Sequence, residues 1–517
     1  GVCLRFVTTS PLWLDEALSV NFASLPLDEI SGALRRDGHP PLFYLLLHGW
    51  IAAVGDSDIA VRALSGLWAV ALLPLVWIAG RRVGGRRTAA CTVVILALSP
   101  FTVRYATEAR MYAMVSMLAL VGWLAADAAW RRPGPAPLAG VAICSALLLW
   151  THYWSIWFLA VGASLLAVLA WRANAGGDRA ARSAALRILA AVGVGGLTFA
   201  PWLPTLWYQR AHTGTPWTRP SRPAEVLSTL ASDLGGGGTG EAAVLGWLVL
   251  VLAAGGLWLR VSTPWELTAD LRRPRGPAAL SMAVLAGGTL VVGGLGGYLT
   301  GAGFASRYAS VVLPFVVVLA ATAVAELRPR ALGVSVLGLI GLLSSLGLAR
   351  NVTDDRSDAR RNAEAITAAA EPGDLVVYCP DQSGPATARE LGDGFAQGTF
   401  PAFAPPDLVE HHAAGPGEDD AGHEGREGLL ADKDNRTKIR QSRLHRLHQN
   451  QCDVGAGEEM QVERQRDRPD TPKRSAAMSK GVNVAVAPKR DTMLKPDQNT
   501  TTASAASRPR VASDEVA

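Results

Sequence analysis

Lysine is missing from the first 430 residues of this 517-residue chain; all six lysines come later. Tryptophan shows the opposite distribution, with all 16 before residue 266. A single surface rarely changes its cation so sharply, so the two parts read as having different histories. Charge is scarce as well. With 18% charged and 49% hydrophobic residues, the chain is unlike an ordinary soluble enzyme. The five cysteines (Cys3, Cys91, Cys144, Cys379, Cys452) show no CxxC spacing and no clustering with histidine, and they support no disulfide framework. Cys91 and Cys144 fall inside apolar segments and read as small buried thiols. The net charge of +5 is modest, and much of the arginine excess sits in short loops between apolar stretches. Membrane orientation explains that placement better than nucleic-acid binding.

What the chain has in abundance is apolar runs. A span needs roughly 20 predominantly apolar residues. Candidates lie near 60–80, 88–103, 111–130, 137–151, 155–171, 188–207, 242–259, 279–300, 309–326 and 331–349. The connecting loops alternate in charge. One set carries sixteen arginines, among them Arg81, Arg82, Arg131, Arg172, Arg272 and Arg328; the other carries six, Arg104, Arg110, Arg210, Arg219, Arg222 and Arg307. This positive-inside pattern predicts that the arginine-rich loops are cytoplasmic and that the other set lies outside. The expected architecture is an all-α polytopic bundle of about eleven transmembrane helices in the cell membrane.

Residues 1–9 are too few to cross a bilayer, and they read as the outer end of a first span that begins upstream; a cleaved signal peptide is the alternative. Residues 10–59 form a first outer loop. Within it, Pro40 to Val54 is apolar but short and reads as an interfacial helix opened by prolines, with His48 as an interfacial side chain rather than a ligand. The bundle is assigned to 60–349. Residues 350–405 read as a small soluble α/β appendage, with an amphipathic helix over 358–372 and a strand over 374–378. From 406 to 517 the pattern is polar, aperiodic and nearly free of aromatics, as expected of a disordered tail. Five of the nine histidines lie there without metal-ligand spacing. A reading-frame shift near residue 400 would produce such a change in composition.

The residues that could carry chemistry gather on the predicted outer side. Asp15 and Glu16 stand side by side in Trp13-Leu14-Asp15-Glu16, and two adjacent carboxylates near lipid are costly to keep without a task. Phe101 to Tyr112 packs Arg104, Arg110, Glu108 and the tyrosines Tyr105 and Tyr112 into one turn; buried at that depth, Glu108 needs a partner, which Arg104 or Arg110 could supply. His152 lies in an aromatic turn, Trp150 to Trp154. Arg307-Tyr308 starts a later span, where a guanidinium can grip a phosphate bidentately or snorkel toward headgroups. The segment Tyr208 to Trp217 suits a saccharide or lipid-headgroup contact, or a plain interfacial loop. The run Gly235 to Gly238 has no strand–helix context and is not a phosphate loop.

Trp13-Leu14-Asp15-Glu16, His39-Pro40-Pro41-Leu42-Phe43-Tyr44 and Arg104-Tyr105-Ala106-Thr107-Glu108-Ala109-Arg110-Met111-Tyr112 together resemble the motifs of GT-C glycosyltransferases. The resemblance runs to about residue 405 and is nearest to the branch of protein O-mannosyltransferases and aminoarabinose–lipid A transferases, in particular its actinobacterial members. It implies a GT-C-type bundle and a polyprenyl-phosphate-linked sugar as donor. It further implies catalysis on the extracytoplasmic face, with Asp15 as the catalytic acid/base and Glu16 beside it. Where the aminoarabinose branch often has Glu-Lys before Pro-Pro, this chain has Gly38-His39, which leaves no lysine there for the phosphate. Residues expected to contact substrate are His39, Arg104, Tyr105, Glu108, Arg110, His152, Arg307 and Tyr308; Asp15, Glu16 and His39 could hold a divalent metal cation. The expected partners are the lipid-linked sugar (mannose or a related one), a protein, lipid or glycan acceptor, and the bilayer, with no nucleic acid. A transporter or flippase of lipid-linked substrates is the alternative, although such proteins place ionisable groups near the membrane midplane, and these spans are nearly free of charge.

Overall fold

The computed structural model describes residues 1–213, 220–237, 240–263, 266–269, 274–371, 374–379, 381–399, 405–406 and 483–487. Residues 3–6 form a single 3-10 turn, Cys3–Phe6, which Val7 leaves in extended conformation. Arg5 of this turn is buried and donates to the carbonyl of Leu96 at 3.0 Å. Three short helices follow: α1 (Leu14–Ser24), α2 (Leu27–Leu34) and α3 (Leu42–Val54). Helix α3 is the expected proline-opened apolar helix; its His48 Nδ1 lies 2.8 Å from the carbonyl of Ala23 on α1.

The bundle begins with α4 (Asp58–Leu98), which Ser57 caps by accepting the amide of Ala60. Its 41 residues are too long for one pass. Gly85 breaks the helix at φ +83°, a conformation open to glycine, and the chain doubles back, with Gly80 packed against Ala89. Pro100 then opens the short α5 (Pro100–Ala106), so the span expected at 88–103 is two helices meeting at Ser99. Next come α6 (Tyr112–Arg131), α7 (Pro135–Thr151), α8 (Trp154–Ala175) and α9 (Arg179–Leu197). The span expected at 188–207 is displaced: α9 ends at Leu197, and Pro201 and Pro204 open a 3-10 turn and a new helix. Helix α9 starts eight residues or so earlier, carrying Arg179, Arg182 and Arg187 on it, and α10 (Leu203–His212) is separate.

The remaining helices are α11 (Pro223–Leu234), α12 (Gly240–Trp258), α13 (Pro277–Thr300), α14 (Leu313–Glu326) and α15 (Arg330–Thr353). Between α12 and α13 the sequence reading missed an antiparallel hairpin, β1 (Leu259–Thr263) and β2 (Glu266–Ala269). Among the described residues, seven helices are long and apolar enough to cross a membrane. Counting α4 twice and adding the shorter apolar α7 and α14 brings the passes to ten, which makes the chain a multi-pass membrane protein.

Helix α14 is the centre of the bundle: every residue from 313 to 324 is buried. Small residues let the backbones approach, as membrane helices require. A Cβ on Gly256 of α12 would lie 1.9 Å from the carbonyl oxygen of Leu319. Phe158 and Phe315 stack at 5.6 Å between α8 and α14.

Beyond α15 lies the α/β appendage: α16 (Ala359–Ala369), β3 (Leu375–Cys379), α17 (Gly384–Leu391) and β4 (Ala396–Thr399). Strand β3 pairs in parallel with β4 and antiparallel with β5 (Asn483–Ala487). From the expected disordered tail, β5 is thus a strand; apart from Pro406 the rest lies outside the described residues. Cys379 is disulfide-bonded, while Cys3, Cys91 and Cys144 are free.

Candidate active site

Asp15 and Glu16 occupy the first turn of α1, where the free amides of a helix N-terminus favour acidic side chains. A rotation of about 100° between neighbours gives them different surroundings. Glu16 is fully buried. Arg62 of α4 grips it with two hydrogen bonds of 2.7 Å, Nε to Oε1 and Nη2 to Oε2, and the amide of Ala109 donates to Oε1 at 2.9 Å. Arg62 also donates to the carbonyls of Ser10 and Pro11. Glu16 therefore joins α1, α4 and the 107–111 turn. It does not share an open face with Asp15.

Asp15 is only partly covered. Its Oδ2 lies 3.4 Å from Arg307 Nη1 and 3.9 Å from Arg110 Nη2. Arg110 is buried and spreads its donors over Ser19 Oγ (3.0 Å), Tyr44 Oη (3.3 Å) and the Asp15 carbonyl (3.3 Å). Its Nη2 faces His39 Nε2 at 3.1 Å. A guanidinium only donates, so His39 accepts at Nε2 and carries its proton on Nδ1, which it gives to Asp37 Oδ2 at 2.9 Å. Burial alone would raise Asp37; His39, Arg110 and the Tyr44 hydroxyl outweigh it and hold the carboxyl down at about 2. Asp37 was visible in the sequence beside His39 but had not been assigned a role.

His152, at the end of α7, completes the wall. Its ring centroid lies 5.5 Å from Tyr308, 5.8 Å from Tyr112 and 6.2 Å from His39. Its Nδ1 accepts the amide of Trp154 at 3.1 Å, which leaves the proton on Nε2. Burial first, with the charges of Arg110 and Arg307 behind it, pushes this imidazole well below its usual range, so it is a neutral donor. Tyr308 stacks on Trp154 at 5.5 Å. Tyr105 is buried against Phe101 and Tyr112, at 4.6 and 5.0 Å, on the inner side of the same turn.

Arg307 lies in a 3-10 turn, Ser306–Val311, just ahead of α14. Its guanidinium lies over the Trp13 ring at 5.4 Å and also lines a cavity of about 550 Å³. Arg104, Arg350 and Arg356 line the same cavity, with Asp233, Asp354 and Asp355. Arg350 pairs with Glu241, and Asp233 accepts from Ser306. The buried Glu108 stands behind this wall, 3.3 Å from Arg104 Nε and 3.9 Å from Arg356 Nη1. Its expected partner is thus Arg104, joined by Arg356 rather than Arg110. Neither Glu108 oxygen has a hydrogen-bond partner, and burial raises its carboxyl despite the two arginines. Sequence reasoning missed Arg62, because it hides inside an apolar span, and Arg350 and Arg356, because they arrive from the far end of the chain.

The candidate metal ligands do not fit a cation. Glu16 is saturated by Arg62 and Ala109, His39 by Asp37 and Arg110, and Asp15 faces two guanidinia. Among the described residues no three His, Cys, Asp or Glu side chains gather as a ligand set. The segment Tyr208 to Trp217 falls partly outside the described residues; Gln209 packs inward, donating to the Leu34 carbonyl at 2.8 Å.

The fold is an all-α multi-pass membrane bundle, with short helices and a carboxylate–arginine site at one end. Among solved structures it is similar to ArnT from Cupriavidus metallidurans. Bound to undecaprenyl phosphate, that protein matches with a TM-score of 0.51 and 12% identity, over 77% of this chain and 84% of that one. In the apo state the TM-score is 0.51 and the identity 12%, over 76% and 83%. At such identity the likeness is one of fold. No family model and no curated protein matches the sequence.

Proposed function

We propose that the chain is an integral-membrane glycosyltransferase that moves a sugar, mannose or a related one, from a polyprenyl phosphate to an extracytoplasmic protein, lipid or glycan acceptor, with inversion. The observation that carries this reading is the double position of Arg307: it lies 3.4 Å from the Asp15 carboxylate and also forms a wall of the arginine-lined cavity. One guanidinium thereby sets the distance between a base and an anion-binding space. The undecaprenyl phosphate bound by the structurally similar ArnT supports a lipid phosphate as the occupant.

In the transfer, Asp15 accepts the proton of the acceptor hydroxyl as that oxygen attacks the anomeric carbon. The bond from this carbon to the phosphate oxygen breaks on the opposite face, which inverts the centre. Charge accumulating on the phosphate falls to Arg307 and Arg104, which are already aimed at the cavity. His152 Nε2–H and Tyr308 are placed to hold sugar hydroxyls. Glu16 serves as the buried tie that fixes α1, and Glu108 orients Arg104. The arginine alternation supports an extracytoplasmic site.

A flippase reading needs ionisable groups along a midplane path, and the charges here collect at the helix ends. The deciding experiment incubates membranes with labelled polyprenyl-phosphate-mannose and related lipid-linked sugars, comparing wild type with Asp15→Asn. Transfer by wild type and a loss of roughly 10²–10⁴ in the variant is the expected result for a general base. Undiminished transfer in the variant removes Asp15 from that role, and no transfer from any lipid-linked sugar reopens the flippase.

A further inference from the structure

The appendage meets the bundle at the start of α4, where Arg389 of α17 donates to Asp58 Oδ1 at 3.2 Å and to the Asp56 carbonyl, and at the back of α1. The segment leading into this helix, residues 9–12, is held along its length by residues 352–357 at and beyond the end of α15. Thr9 donates its amide to the carbonyl of Val352 at 3.1 Å and its hydroxyl to the same oxygen at 2.8 Å. The amide of Arg356 donates to Ser10 Oγ at 2.8 Å, and Ser357 Oγ donates to the Leu12 carbonyl at 3.3 Å. Within α1 itself, Ala17 is fully buried against Ala359 of α16 and Ala386 of α17. Ala17 lies two residues, about 200° of helix rotation, from Asp15, so the helix shows its carboxylate to the site and its small face to the appendage.

Arg356 extends this attachment to the site. Its Nη1 and Nη2 donate to Thr107 O and Thr107 Oγ1, each at 2.7 Å, while the same guanidinium lines the cavity. A bundle that needed the appendage only as a tethered module would not thread its base-bearing helix through it.

We infer that the appendage is a brace for the transfer reaction: Ala359, Ser357 and Arg356 are positioning residues that hold α1 so that Asp15 meets the substrate at the correct distance. The inference rests on the glycosyltransferase reading for its consequence in turnover, but its structural half stands alone. An α1 released from the brace still carries Asp15 but samples many orientations, and a displacement of about 1 Å at a reacting group can cost on the order of 10²-fold in rate.

The test uses the full-length protein in membranes and in detergent. Ala359→Leu inserts three carbons where Ala17 and Ala386 close on the helix. Expected are at least tenfold faster hydrogen–deuterium exchange over residues 12–24, unchanged exchange over α14, and a kcat at least tenfold lower with the donor KM within twofold. Ala359→Gly, which keeps the space, should retain most of the wild-type kcat. Should Ala359→Leu also loosen α14, Ser357→Ala is read by the same measurements, with a smaller shift in the same direction. Unchanged exchange in α1, or faster exchange with undiminished kcat, overturns the brace. If wild type transfers no sugar, the functional reading fails, and exchange over α1 alone decides whether the brace exists.

Discussion

The two ends of the bundle use the same residue types to opposite effect. At one end Asp127 of α6 pairs with Arg82 and Arg131, and Arg275 pairs with Glu326 across α13 and α14. Arg131 there is 56% exposed, each acid has its own cation, and water screens what remains. At the other end Arg110 is 3% exposed and Glu108 1%, and Arg307 divides itself between a carboxylate and an open cavity. What separates them is burial: an ion pair in water is worth little, whereas a guanidinium held in a dry wall keeps its full pull for an arriving anion.

The sharpest way to break this contrast is to remove one carboxylate from each end. Asp15→Asn should lower sugar transfer by roughly 10²–10⁴, while Asp127→Asn should leave it within about twofold. Equal losses in both would mean that the distinction is one of stability. The next effect concerns folding. Arg62→Met leaves Glu16 buried without its cation, which should cost about 3–5 kcal/mol; thermal unfolding in detergent reads it, and Glu16→Gln in the same background should restore part of the loss.

A smaller effect separates the arginines. Arg307→Ala should weaken binding of undecaprenyl phosphate by roughly 10–100-fold, the worth of a charge-assisted hydrogen bond, and Arg131→Ala should not change it; binding followed by fluorescence quenching distinguishes them. The smallest effect is in pH. His152 is depressed below its reference of 6.5 in the fold, so below that pH the unfolded chain binds a proton that the folded one refuses. Stability should therefore be complete above about 6.5 and fall as the pH drops below it, and His152→Phe should flatten this part of a Tm–pH curve.

Helix existence was readable because apolar length leaves few alternatives in a membrane, and α6, α8, α13 and α15 fall within a few residues of their expected positions. Boundaries moved wherever a proline intervened, at Pro100 and at Pro201 and Pro204. In the candidate site, the sequence brought forward Asp15, Arg110, His39, His152 and Arg307, since polar side chains at the ends of apolar runs stand out. Glu16 stood out for the same reason; helix geometry sends it into the core and turns Asp15 toward Arg307. Arg356 carried no local signal; only its arrival beside Thr107, some 250 residues distant in sequence, shows its use.

By itself, the amino-acid sequence determined that this protein crosses a membrane many times, which ends of its helices share a side, and that acids and arginines collect on one of those sides. These follow from length, hydropathy and charge alternation, which are local properties that the bilayer reads one segment at a time. Only the tertiary structure decided which carboxylate is spent on Arg62 and which faces Arg307, and that the far end of the chain returns to hold α1. Those outcomes depend on which surfaces meet across hundreds of residues, where packing and burial, not composition, set what a charge can do.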